Sequence, residues 1–423
     1  MSSFSLNGPA KLSGQIPVLG SKNAALPLLA ATLLTGEEVT LHNIPPIRDT
    51  TAMQEILTRM GALISTPSED TLTVKASTIS ADNLPEETVR ALRGSILLLG
   101  ALLGRTGRAA LPLPGGDIIG ARPIDVHLDA FEQLGAVVTL REGLVEIDGE
   151  NMKAGRVVLG ELSVTATENT LLAAATLPGT TTIEMAAAEP HVAALAHLLS
   201  AMGATVEGAG THRITITGSK KLSGAEFSNI PDMLEAGFFI LLAAALGSEL
   251  TVTSVPVNDL LSFFKKIDYI GVKYEMEMRD DGYADVTVSP SSLRSFSIKT
   301  LPHPGLATDL QAPFGLLATQ VEGNSLIHDP MYEARFRYIH ELQKMGAKAV
   351  ICDPHRVIIT GPSKLSGKRI PSLDIRAGAT LMMAGLLATG NTIIEEAEII
   401  ERGYARLPER LRAIGADINV IAS

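Results

Sequence analysis

The sequence predicts an α/β protein of two domains, each an inside-out α/β barrel with small sheets around buried helices. Six repeats of a βαβαββ-type unit build it, three per domain. Three observations lead there. Helix-like segments end on Gly61, Gly135, Gly203, Gly271, Gly346 and Gly415, which lie 74, 68, 68, 75 and 69 residues apart. An apolar run ends before each of these, at Gly36, Gly107, Gly179, Gly247, Gly323 and Gly390, leaving 25, 28, 24, 24, 23 and 25 positions between the paired markers. Finally, the sixth repeat stops at DINVIAS without its last strand and turn, and the opening SFSLNGPAKLSG looks like the missing piece.

Each element has a local reason. Glycine after a helix takes the left-handed conformation that other residues avoid. Apolar runs such as TLLAAAT and GFFILLAAALG are hydrophobic all round, which suits a helix buried on every side. HELQKMGA and LPERLRAIGA are amphipathic and belong on the outside of a core. Strand-like segments follow every first marker: EEVTLHNI, RAALPL, TTTIEMA, SELTVTSV, NSLIHDP and NTIIEEA. Alternating runs such as LTVKAS, LVEIDG, RITITG, ADVTVS and RVIITG close the repeats, and Lys-Leu-Ser-Gly turns recur at Lys11, Lys221 and Lys364. Domain one is expected over 21–228, and domain two over 1–20 with 229–423.

Composition narrows the function. The 423 residues are 46% hydrophobic, only 4% aromatic and without Trp, so the cores rest on aliphatic residues. A net charge of −11 without a basic run argues against nucleic-acid binding. One cysteine, Cys352 in the strand-like AVICDPHRV, excludes an intrachain disulfide and reads as a small core residue. The nine His show no metal-ligand spacing, and no metal or cofactor is expected. The opening residues lack a secretory pattern and no apolar stretch is long enough to span a bilayer, so a cytoplasmic protein without a membrane partner is expected.

The segments entering the buried helices carry the unusual residues: GSKNAALP, TVRALRGS, SVTATEN, IPDMLEAG, ATDLQAPF and LDIRAGAT. They place Lys22, Asn23, Arg93, Ser163, Asp232, Asp309, Asp374 and Arg376 near helix N-termini, where free amides and partial positive charge favour anions. Capping explains Ser, Asn and Asp there. It does not explain Lys22, Arg93 or Arg376, and a cation at a helix start suggests an anion to balance it. The stretch Pro114–His127 is glycine-rich, with Asp117 beside Gly115 and Gly116. It reads as a surface turn or a mobile lid and matches no phosphate-loop or dinucleotide fingerprint.

With these motifs, together with LPGGDIIGARPIDVHL, YEARF and ERGYARLPERLRAIGA, essentially the whole chain resembles the enolpyruvyl transferases, in the branch that acts on UDP-N-acetylglucosamine. The resemblance implies two three-repeat domains with a cleft between them. It implies transfer of enolpyruvate from phosphoenolpyruvate to the sugar 3-hydroxyl, for peptidoglycan precursors. Catalytic roles fall to Asp117, Asp309, Lys22 and Arg402, with Asp309 as base and Asp117 as proton donor on a lid around 112–123. Lys22, Asn23, Arg93, Arg122 and Arg402 would bind the anionic substrate. Arg122, Pro123, Ile124, Asp125, Ser163, Val164 and Ile327 would contact the nucleotide sugar, and Arg335, Asp374 and Arg376 would line the domain-two side. Glu161, Thr165 and Met233 depart from the pattern, standing where Lys, Gly and Arg are common. The alternatives are the sister enzyme acting on shikimate 3-phosphate and an inactive paralogue that binds UDP-sugars.

In the transferases that the chain resembles, the lid position is usually held by Cys, and the matching residue here is Asp117. Fosfomycin alkylates that cysteine, and a carboxylate is a far weaker nucleophile toward an epoxide than a thiolate. The protein is therefore expected to resist covalent inactivation, and Asp117→Cys to become sensitive. Intact mass after incubation with the drug checks this. A stable adduct on the unmodified chain contradicts it.

Overall fold

The structure is a computed structural model that describes residues 2–81, 84–113, 115, 120 and 122–422. Contacts divide the chain into two compact units, one of Met1–Leu19 with Pro231–Ser423, the other of Gly20–Gly116 with Arg122–Ile230. Each has its own hydrophobic core. The described residues form five four-stranded sheets and one three-stranded sheet. All six second-marker glycines take positive φ, from 91° at Gly271 to 113° at Gly346, so each helix stops where the spacing predicts.

The strand missing from the sixth repeat comes from the other end of the chain. Strand Ser2–Gly8 lies antiparallel between Gly390–Glu395 and Asp417–Ala422, with Phe4 opposite Ile394 on one side and Val420 on the other. Phe4 and Leu6 are fully buried, and burial of each such side chain contributes about 1.5–3 kcal/mol.

A second regularity ties the repeats together. The strand that opens each sheet is flanked by the repeat's antiparallel hairpin and, in five of the six sheets, by a short parallel strand from elsewhere in the chain. Arg156–Val158 passes to Gly179–Glu184, Ser297–Lys299 to Gly323–His328, and Arg369–Pro371 to Gly390–Glu395. Ala225–Ser228 returns to Glu38–His42, and Ser13–Pro17 pairs with Glu249–Val255, so each unit closes on itself. Among the described residues the handover is missing once. The three-stranded sheet of Arg108–Pro112 receives no such strand, and the described residues between 75 and 97 instead form helix Glu86–Ala91 and a 3-10 turn, Arg93–Ile96.

Inside the sheets lie the apolar helices. In Met233–Leu246 every residue from Leu234 to Ala245 is buried. In the unit of residues 20–230, Gly94 packs on Leu26 and Gly104 on Leu34, while Asn169 bonds Gly100 and Thr176 bonds Gly104. Neighbours therefore advance together along Lys22–Ala31, Leu97–Thr106 and Val164–Ala174. The three helices run parallel and start at the same end. Among the described residues no helix is long and apolar enough to cross a membrane.

One expectation is corrected here. Cys352 is exposed, not a core residue. It lies on Lys348–Asp353, the edge strand of its sheet, where alternation turns Ala349 and Ile351 inward and Cys352 toward solvent.

Candidate functional site

In the unit of residues 231–423, three helix starts meet. Asp232 caps Met233–Leu246 by accepting from the Leu234 and Glu235 amides, and Asp374 caps Ile375–Leu387 by accepting from Arg376 and Ala377. Asp309 sits in the 3-10 turn Thr308–Leu310 that leads into Gln311–Ala318. Arg376, 6% exposed, reaches from the second helix position to Asp309 at 3.3 Å and Asp232 at 4.0 Å, and stacks over the Tyr404 ring at 5.0 Å. Arg335 donates to Asp309 Oδ1 at 2.6 Å. Arg402 ends the 3-10 turn Ala397–Arg402, and the adjoining Gly403 packs so tightly on Ile375 that a Cβ there would lie 2.5 Å from its Cγ2. Arg402 thus stands beside the start of the third helix.

The electrostatics follow from burial against pairing. Burial alone would raise Asp309, but Arg335 and then Arg376 overcome it and hold the carboxyl far below its ordinary range. Arg376 is held above its ordinary value although burial opposes the charge, because Tyr404, Asp309 and Asp232 face it. Asp232 is raised, mainly by burial. At neutral pH Asp309 is an ionised acceptor between two cations.

In the other unit, Lys22 is the first residue of Lys22–Ala31, capped by Ser21, whose Oγ accepts from Ala24 at 3.3 Å. A Cβ at Gly20 would sit 1.7 Å from the Asn43 carbonyl, so only glycine admits the chain to this start. Lys22 Nζ lies 2.7 Å from Asp49, and Asn23 follows it in the first turn. Arg93 opens its 3-10 turn and donates to the Arg122 carbonyl at 2.5 Å. Pro123 and Ile124 lead into helix Asp125–Gln133, where Asp125 suits the positive helix end. Ser163 caps Val164–Ala174. A bond of 3.1 Å from His127 to Thr165 brings the 122–127 and 163–165 segments together.

Two readings change. Lys22 and Arg376 need no ligand to balance them, since Asp49, Asp309 and Asp232 supply the anions; their position at helix starts is not by itself a sign of a substrate. Ile327 is fully buried, between Ile298 and Val357 in the sheet, so it belongs to the core and not to a ligand site. Asp117 lies outside the described residues. Sequence reasoning missed Asp49, Tyr404 and Asn169. The signal for Asn169 was present: a carboxamide inside the apolar run that ends in TLLAAAT.

His127, 2% exposed, is pushed down to about 3 by burial and then by the charge of Arg93. The unfolded ring takes its proton near pH 6.5, whereas the folded ring stays neutral far below that. The unfolded state therefore binds more protons, and the stability this group contributes is complete above about pH 6.5 and lost as pH falls toward 3. Asp309, also depressed, adds its loss only below about pH 4. Urea midpoints at pH 7, 6 and 5 should fall more steeply for the wild type than for His127→Gln. Equal slopes would show that the ring is not held neutral.

A family model described as EPSP synthase (3-phosphoshikimate 1-carboxyvinyltransferase) matches residues 6–411. The chain is 42% identical over 418 residues to the UDP-N-acetylglucosamine 1-carboxyvinyltransferase of Magnetococcus marinus, covering 99% of each. It is 42% identical over 422 residues to UDP-N-acetylglucosamine 1-carboxyvinyltransferase 2 of Carboxydothermus hydrogenoformans, covering 100% of each. The enolpyruvyl transferase NikO from Streptomyces tendae shares the structure with a TM-score of 0.89 at 27% identity, over 100% of this chain and 99% of that one. EPSP synthase from Acinetobacter baumannii shares the fold with a TM-score of 0.74 at 20% identity, over 100% of both chains.

Proposed function

The chain belongs to the EPSP synthase family of enolpyruvyl transferases, and from that premise we propose that it transfers the enolpyruvyl group of phosphoenolpyruvate to the 3-hydroxyl of UDP-N-acetylglucosamine. The observation that carries this choice of acceptor is the full-length similarity, at 42% identity, to relatives named for that reaction. Helix starts bearing Lys, Arg and Asp supply the chemistry in both units.

The reaction is an addition followed by an elimination. The sugar oxygen bonds to C2 of phosphoenolpyruvate while the methylene carbon gains a proton. The tetrahedral intermediate then loses that carbon's proton and expels phosphate. Such steps need an acid, a base and cations for the departing phosphate. Lys22, Asn23, Arg93, Arg122 and Arg402 are assigned to the phosphate and carboxylate, Lys22 exchanging its Asp49 partner for the substrate. Asp117 is assigned as proton donor. Pro123, Ile124, Asp125, Ser163 and Val164 are assigned to the nucleotide. Asp374 holds the helix start that presents Arg376.

Asp309 receives the sugar hydroxyl. A carboxylate held this low is a weak base, because proton transfer is best served by a pKa near the working pH. What it does well is accept a hydrogen bond and aim the oxygen. It takes the proton only as bond formation to C2 makes that proton acidic. The same reading places the protein in the cytoplasm, in peptidoglycan precursor synthesis.

Phosphate release with each acceptor tests the proposal. Turnover with UDP-N-acetylglucosamine and none with shikimate 3-phosphate is expected. The reverse preference would assign the chain to the sister reaction, and binding of the UDP-sugar without turnover would make it an inactive paralogue.

A further inference from the structure

The hydrogen bonds around His127 fix a direction that the family reading does not use. Asn169 is fully buried in Val164–Ala174. Its Oδ1 accepts from the Gly100 amide at 2.8 Å, and its Nδ2 donates to the Ile96 carbonyl at 3.0 Å. An amide can only donate and a carbonyl only accept, so the carboxamide has one orientation. The same Nδ2 lies 2.8 Å from His127 Nδ1. That ring nitrogen must therefore offer its lone pair. The neutral ring then carries its proton on Nε2, 3.1 Å from Thr165 Oγ1. Thr165 accepts from the ring, and its own hydroxyl hydrogen points elsewhere.

That hydrogen has no acceptor among the described residues. Neither do the amides of Val164 and Thr165, the first two of the helix, because Ser163 Oγ takes the Ala166 amide at 3.3 Å. Three donors thus open at one place, and the charge of Arg93 reaches the same ring. Glu161, two residues before the cap, is an exposed carboxylate that opposes an anion here, so neutral donors carry more of the task.

We infer that Thr165 determines affinity for the nucleotide, its hydroxyl donating to a diphosphate oxygen in a direction set by His127 and Asn169. This rests on the proposed nucleotide contact at Ser163 and Val164. His127 and Asn169 are positioning residues, since they act through Thr165. A glycine at this position keeps the amides and lacks the hydroxyl.

Thr165→Val keeps the shape and removes the donor; Thr165→Ser restores it. Calorimetric affinity for UDP and the steady-state constants are measured for the three proteins, with thermal unfolding as a control for folding. For Thr165→Val the account expects about tenfold weaker UDP binding and a similar rise in KM for the sugar nucleotide. It expects kcat and KM for phosphoenolpyruvate within about twofold of wild type, and recovery in Thr165→Ser. Wild-type affinity in a folded Thr165→Val overturns this inference and leaves the proposed function standing. Failure of the unaltered protein to bind UDP overturns both.

Discussion

Burying three all-round apolar helices inside each unit is the constraint on which the other features depend. Such helices have no polar face, so only their ends can carry charge. Where they run parallel, the charged ends collect at one place. Arg376 reaches both Asp309 and Asp232 because three helix starts are brought within the length of one side chain. A buried guanidinium is costly unless paired and hydrogen-bonded, and pairing with Asp309 and Asp232 above the Tyr404 ring offsets part of that cost. Sheets that exchange short parallel strands hold the helices in place. Where that exchange is missing, the chain forms the turn that presents Arg93 instead.

Much of this was legible in the sequence because it is periodic. Glycines at helix ends, apolar runs and alternating strands are local features, and six copies amplify a weak signal. The N-terminal strand could be assigned to the last repeat because a repeat lacking one strand leaves a sheet unpaired. Pairings between side chains of different helices were not legible. Asp49 lies in the first turn of the next helix, Arg48–Arg59, and nothing in its neighbourhood says that Lys22 points at it. Cys352 was misjudged because a strand pattern does not say which strand is at the edge. The charged helix starts were recognised, but the acids that already pair Lys22 and Arg376 were not, since Asp49 comes from the next helix of the same repeat and Asp309 and Asp232 from other repeats.

The hydrogen-bond network of His127 was hidden for the same reason. Its three members come from two helices, and their roles become definite only when the Gly100 amide and the Ile96 carbonyl fix the Asn169 carboxamide. Buried polar groups of this kind are costly when half satisfied and orienting when complete.

The central claim is that the negative charge of Asp309, held between Arg335 and Arg376, is used on the acceptor hydroxyl. The most direct test is kcat for phosphate release by Asp309→Asn, which keeps an acceptor oxygen and removes the charge, with UDP-N-acetylglucosamine affinity measured on the same folded preparation. The account predicts a fall of about a hundredfold or more in kcat with the nucleotide sugar still bound. Turnover within a few-fold of wild type would contradict it and show that the charge of Asp309 serves only to hold the two arginines.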